Sequence, residues 1–347
     1  MKRFSLKVSQ SLFDEVKKKG TQQLAVENAI EYLLSSKQYA LPENLPKLER
    51  QISFCLKDEQ LQDLYKLLKI DNTRTLLKVL RYAISQTIRK ESALGSFLKH
   101  LDPDLQDILK KRIRDEWTHD STAIEGNTLT LGETSFILNE GLTISGKSVK
   151  EHDEVRGHAN AIELIYHLSR EKNLTKNQLY DLHRAVIVNP PFDIDNPVGA
   201  WKKRENGAYW NREYILYPSP RAIPKLMKQW LEQYNSYFDP ETPTEAVHIY
   251  TWVLLSFTAI HPFYDGNGRL ARLLANLKVI KQGFPPITID SQSRFTYLEL
   301  IKGIRLLEPY KNLKMNGDIQ GFEQFIYQEW QKTLKLVDEV RSIQRSR

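Results

Sequence analysis

The sequence predicts a mainly α-helical chain with a β-hairpin in its larger part and, at its start, a small module in which a β-α-α unit occurs twice. Three observations lead there. Beyond residue 95 long stretches repeat their apolar side chains with helical period. Glycine is nearly absent from the first 91 residues, where Gly20 stands alone, whereas the other fourteen lie beyond residue 94. A short alternating segment near the N-terminus recurs 48 residues later. The composition shift sets a domain border at residues 92–95. Charge divides there too: residues 1–91 hold 17 Lys and Arg against 11 Asp and Glu, nearly all of the +7 that the 347 residues carry.

Within the first module, RFSLKV (3–8) and QISFCL (51–56) alternate polar and apolar, so each reads as a strand with two unlike faces. Two helical patterns follow each strand, over 9–20 and 21–34 and again over 57–70 and 72–85. Thr21 and Thr75 stand where the second helix of each unit needs a cap, and Pro42 and Pro46 suit the linker between units. This order resembles the ribbon-helix-helix fold, in which two strands pair as an antiparallel ribbon that enters the major groove of DNA. The resemblance implies that one chain supplies both halves. Phe4, Leu6, Val8, Ile52, Phe54 and Leu56 would then face the helices, leaving Arg3, Ser5, Lys7, Gln51 and Ser53 as outward DNA contacts. Arg3 and Lys7 suit guanine edges or phosphates, and Gln51 suits adenine. Cys55 departs from the polar pattern of that face.

A hydrophobic fraction of 41% with 27% charged residues is ordinary globular composition and excludes a largely disordered chain. The single cysteine, Cys55, excludes an intramolecular disulfide and any cysteine-rich metal site. The most apolar run, residues 252–260, is too short to span a bilayer, and the N-terminal MKRFSLKVSQ has no apolar segment of a secretory signal. The expectation is a cytoplasmic protein without a membrane partner.

Helices are predicted over 179–188, 223–234 and 245–260, and the last delivers the chain into HPFYDGNGRLAR, residues 261–272. Gly266 and Gly268 flank Asn267 and let backbone amides approach an anion; the next helix points its free N–H groups at the same spot. Arg269 and Arg272 add cationic donors near one helical face. Asp265 among these cations suits a Mg²⁺ bound by one carboxylate and substrate phosphates, and His261 suits a general base. Together these residues read as a polyphosphate site with a base beside it.

The string resembles the Fic family signature, His-x-Phe-x-Asp/Glu-Gly-Asn-Gly-Arg-x-x-Arg, at every fixed position, and the likeness extends through residues 141–334. It implies a helical Fic core over 141–334, preceded by a helical extension over 92–140 and followed by a tail over 335–347. The implied activity is transfer of AMP from ATP to a Ser, Thr or Tyr hydroxyl of a target protein or of the chain itself. On this resemblance His261 deprotonates the hydroxyl and Asp265 holds Mg²⁺. Gly266, Asn267 and Gly268 cradle the phosphates, with Arg269 on the β- and Arg272 on the γ-phosphate. The stretch from Asn206 to Leu216 predicts a hairpin flap, to whose open edge a target segment adds as a strand.

Upstream, STAIEGN (121–127) sets Ser121 and Glu125 four residues apart, neighbours on one helical face. Next to a Fic motif it resembles the family's inhibitory motif. That resemblance implies that Glu125 pairs with Arg272, blocks the γ-phosphate position and can assist AMP removal. The alternative function is a DNA-binding regulator whose Fic core senses nucleotide or modifies itself. The sequence leaves the target's identity and any homo-oligomer open.

Overall fold

The computed structural model describes residues 2–8, 13, 22, 26, 30, 50–68, 72–93, 97–98, 101–189, 193, 197–210, 213–237, 239–308 and 313–346. Strand β1 (Lys2–Val8) pairs antiparallel with β2 (Arg50–Leu56), with Ser5 opposite Ser53 and Lys7 opposite Gln51. The period of two divides the ribbon: Leu6, Phe54 and Leu56 are buried, Phe4 stacks on Phe54 at 5.8 Å, and Ser5 and Lys7 are exposed. Helices α1 (Asp58–Leu68) and α2 (Thr73–Ala93) contribute Leu64, Leu80 and Ile84 to the core beneath it. Val26 and Ile30 enter the same core from helical positions 54 residues before Leu80 and Ile84, so the internal repeat is also a repeat of burial.

One cap differs from expectation. Helix α2 begins at Thr73, and Asn72 caps it by accepting the Thr75 N–H at 2.8 Å; Thr75 lies inside the first turn. Most of the first unit's expected helices, Thr21, the linker with its two prolines and residues 94–96 lie outside the described residues. So do the side chains of Arg3, Gln51 and Ser53.

The larger part runs through α3 (Pro103–Ile124), α4 (Leu131–Glu140), α5 (Val149–Leu168) and α6 (Lys176–Val186) to a hairpin, β3 (Gly207–Trp210) and β4 (Glu213–Leu216). It continues with α7 (Ile223–Ser236), α8 (Pro243–Ile260), α9 (Asn267–Lys281) and α10 (Arg294–Lys302). A short pair, β5 (Arg305–Leu306) and β6 (Met315–Asn316), precedes α11 (Ile319–Ser346). Four helices, α4, α5, α6 and α8, start with the same reciprocal device: a Ser or Thr accepts an N–H three residues on, whose Glu or Gln side chain reaches back.

Helix α8 is apolar on all sides because it is central; Tyr250, Leu254 and Phe257 are wholly buried. Trp230 of α7 stacks on Trp252 and donates to Ser256 Oγ at 2.8 Å, so two buried polar groups satisfy each other. Residues 335–346 are not a tail. They continue α11, whose Leu336, Val337 and Val340 share one face and pack against Leu105, Leu109 and Ile113 of α3. Helix α3 is thereby clasped between α11 and the main core, which Trp117 and Ile124 enter from its last turns. No helix of the described residues is long and apolar enough to cross a membrane.

Candidate active site

Helix α8 ends at His261, which takes a left-handed conformation (φ 50°, ψ 60°) while its N–H still donates to Phe257 O at 3.0 Å. That backbone costs about 1–2 kcal/mol for a residue with a side chain, and it turns the chain sharply out of the helix. The imidazole lies flat on Tyr217, ring centroids 3.7 Å apart and 4° from parallel. Its Nδ1–H donates to Thr258 O at 3.3 Å, which leaves the lone pair on Nε2. Burial and the nearby Lys202 charge push the imidazole down to about 3, so it is neutral at physiological pH and able to accept a proton.

The loop after His261 is closed by Asn267. Its Oδ1 accepts the Phe263 N–H at 2.9 Å and its Nδ2 donates to Phe263 O at 2.8 Å. The side chain is therefore used inside the loop, and only the backbone of Asn267 is left to face an anion. Gly266 caps α9 at φ 75°, where a Cβ would come within 2.9 Å of Ile187 Cδ1. At Gly268 a Cβ would collide with the Glu125 carboxylate.

Asp265 points outward, its side chain 70% exposed, with Oδ1 accepting the Gly266 N–H at 2.6 Å. Its other oxygen can serve a hard cation. Among the described residues no three His, Cys, Asp or Glu side chains converge as a metal site, so a cation here would complete its shell from substrate oxygens and water. A Mg²⁺ carried by a nucleotide fits that donor set; a permanently resident metal does not.

Both arginines are buried. Arg269 lies 3.7 Å from Glu154 and 3.8 Å from Asp265, and its Nε finds no hydrogen-bond partner among the described residues. Arg272 donates from Nε to Ser121 Oγ at 2.9 Å and from Nη2 to Ser121 O and Glu125 Oε1, both at 2.7 Å. Nη1 reaches the Tyr297 hydroxyl at 3.5 Å. Burial opposes the guanidinium charge, but the Glu125 carboxylate outweighs it and holds the charge more firmly than usual. Ser121 and Glu125, at the end of α3, are thus brought to the arginine on α9.

Sequence reasoning missed Lys202, Asn206 and His183. Lys202 donates its backbone N–H to Pro262 O at 3.0 Å and its Nζ to Asn206 Oδ1 at 2.5 Å. Burial lowers it to about 8. Asn206 Nδ2 donates to both Phe263 O and Tyr264 O at 3.2 Å. His183 contacts Asp265 and Gly199. No local period announces these residues, because their partners are distant in the chain. Two cavities adjoin the loop. One of about 270 Å³, largely apolar, is lined by Tyr217, Thr258, Ile301, Ile304 and Arg305; the other, about 920 Å³, by Tyr214, Tyr264, Asp265 and Arg269 among others. The expected DNA contacts lie elsewhere, on the β1–β2 ribbon.

Residues 173–278 match the Fic/DOC family, and this span holds the whole string from His261 to Arg272. Over this span the chain matches a Fic domain. The chain is 32% identical over 231 residues to the protein adenylyltransferase Fic of Drosophila willistoni, an overlap of 65% of this chain and 42% of that one. The Drosophila melanogaster protein of the same name is also 32% identical, over 228 residues. The chain spans about two fifths of the length of these curated relatives. A Fic-domain-containing signalling protein from Bacteroides thetaiotaomicron superposes with a TM-score of 0.61 at 27% identity, covering 72% of this chain and 97% of that one. Fic-1 from C. elegans shares the fold at a TM-score of 0.56 and 24% identity, over 82% and 83% of the two chains. The Fic likeness in structure therefore reaches beyond the matched span.

Proposed function

We propose that this chain is a protein adenylyltransferase that moves AMP from ATP to a Ser, Thr or Tyr hydroxyl of a target protein or of itself. The observation that carries the reading is a neutral His261, its Nε2 lone pair free of the bond that Nδ1 makes, set beside Asp265 and two buried arginines on a loop whose glycines admit phosphate. The hydroxyl oxygen bonds to the α-phosphorus as the bond to the bridging oxygen breaks and pyrophosphate departs. His261 Nε2 takes the hydroxyl proton. Its depressed basicity in the free protein rises when phosphate charge enters beside it. Arg269 and Arg272 neutralise the β- and γ-phosphates, and the amides at the start of α9 face the same anion. Mg²⁺ held by Asp265 would supply the remaining charge compensation. The apolar cavity next to Tyr217 and Thr258 suits the purine.

Glu125 makes this an inhibited enzyme: its carboxylate occupies the partner that the γ-phosphate needs. The same carboxylate can orient water for AMP removal. The β3–β4 hairpin, with Tyr209, Tyr214 and Leu216 exposed, offers an edge to a target strand. Intact mass after incubation with ATP and Mg²⁺ tests the reading. Glu125→Gly should gain one AMP on itself or on an added protein substrate, and the double variant with His261→Ala should gain none. Transfer that survives His261→Ala overturns the assignment of the base.

A second reading is favoured by one observation. The two strands pair within a single chain in the register that sets Ser5 and Lys7 on an exposed face. We propose that this ribbon binds DNA. Labelled DNA should shift in a salt-dependent manner, and Arg3→Ala with Lys7→Ala should abolish the shift. A protein that shifts no duplex at low salt refutes it.

A further inference from the structure

The geometry points to His183 as a positioning residue that fixes the Asp265–Gly266 peptide, and through it the Asp265 carboxylate. Its effect on turnover rests on the adenylyltransferase reading; its effect on the loop does not. His183 stands in the last turn of α6, 2% exposed, with both ring nitrogens engaged. The Gly199 N–H donates to Nδ1 at 2.9 Å, so the ring proton must reside on Nε2, which donates to Asp265 O at 3.1 Å. The ring face lies on Phe263, centroids 3.9 Å apart and 12° from parallel. One side chain therefore ties α6, the segment leading to the flap and the catalytic loop together.

The consequence follows from the planarity of a peptide. Asp265 C=O and Gly266 N–H belong to one rigid trans unit and point to opposite sides. Turning the carbonyl toward His183 turns the Gly266 N–H away from it, where it binds Asp265 Oδ1 at 2.6 Å. The carboxylate that would meet the cation is thus aimed by a bond on the far side of its own backbone. Gly199 is built for the same contact. It sits at φ 72°, and a Cβ there would collide with the Arg184 side chain. Three residues beyond Gly199, the Lys202 N–H donates to Pro262 O and ties the same segment to the catalytic loop a second time.

Two substitutions in the Glu125→Gly protein test the role. His183→Phe keeps a ring for Phe263 and deletes both hydrogen bonds; His183→Gln keeps an amide donor for Asp265 O. In His183→Phe, kcat for AMP transfer should fall about ten- to hundredfold while the ATP Kd rises by less than about threefold, because misaiming acts on the reacting geometry more than on binding. Amide exchange across residues 262–268 should accelerate by about tenfold. His183→Gln should restore most of kcat and of the protection. Unchanged exchange in a folded His183→Phe, or a His183→Gln as impaired as His183→Phe, overturns the inference. Should His183→Phe not fold, His183→Gln against its parent decides it: a fall in kcat and loss of loop protection equal to a catalytic knock-out refutes it. If the Glu125→Gly parent itself transfers no AMP, the adenylyltransferase reading fails, and the exchange contrast alone decides the positioning role.

Discussion

Replacing Glu125 by Gly should make the free protein less stable and the nucleotide-bound protein more competent. Arg272 is 3% exposed and holds four contacts, of which Glu125 Oε1 at 2.7 Å is the one to a charge. A hydrogen bond to a charged group contributes about 1.5–3 kcal/mol. Glu125 is 39% exposed, so solvent screening reduces this to about 1–2 kcal/mol. Without nucleotide the variant loses that amount and melts roughly 2–4 °C lower. With ATP, the γ-phosphate no longer competes with a carboxylate, and affinity should rise by the same energy, about 5- to 30-fold. The two melting temperatures therefore converge as ATP and Mg²⁺ approach saturation: the variant starts lower and gains more. Glu125→Gln, which keeps an acceptor but no charge, should fall between. Thermal melts with and without ATP, paired with intact mass, read both effects. Equal ATP affinity and equal AMP transfer in wild type and Glu125→Gly would refute the competition on which the brake depends.

Three further outcomes follow from the same geometry. Gly266→Ala should lower stability by about 1–2 kcal/mol in urea unfolding, since its φ of 75° and the 2.9 Å approach to Ile187 both oppose a Cβ. Asp265→Asn should cut Mg²⁺-dependent AMP transfer by about a hundredfold while ATP binding measured without Mg²⁺ changes little. Stability should fall on acidification. Burial lowers His261 to about 3, His183 to about 4 and His158 well below its usual value. The unfolded chain protonates these groups first, so their contribution is present above pH ~6.5 and is lost as pH falls toward the folded values, at up to ~1.4 kcal/mol per pH unit for each. Asp120, raised to about 6 by burial, acts in the opposite sense and offsets one of the three. Urea midpoints equal at pH 7 and pH 5 would contradict the burial of these histidines.

The legible part of the site was the part contiguous in the chain. His261, Asp265, the two glycines and the arginines occupy one turn and the start of one helix, so their spacing alone places them together. The ribbon and the hairpin were legible for a similar reason, since a period of two assigns faces without any knowledge of partners. Some signals were present and not used. The spacing of Leu336, Val337 and Val340 is that of a buried helical face, not a tail, and Thr130, Ser148, Thr175 and Thr242 each precede a Glu or Gln by three residues. Asn72 competed with Thr75 for a cap, and the helix started at the earlier residue.

By itself, then, the sequence determined the local devices: the turn that lifts phosphate-facing amides, the helix that follows it, and the inventory of one base, one carboxylate and two cations. Which of these groups are left free is set by packing between distant segments. Asn267 spends its side chain on Phe263, Arg272 is held by Ser121 and Glu125 from a helix more than a hundred residues earlier, and the Asp265 peptide is held by His183. Availability depends on distant partners that satisfy a buried donor or acceptor, and no local period encodes where in the chain such a partner will come from.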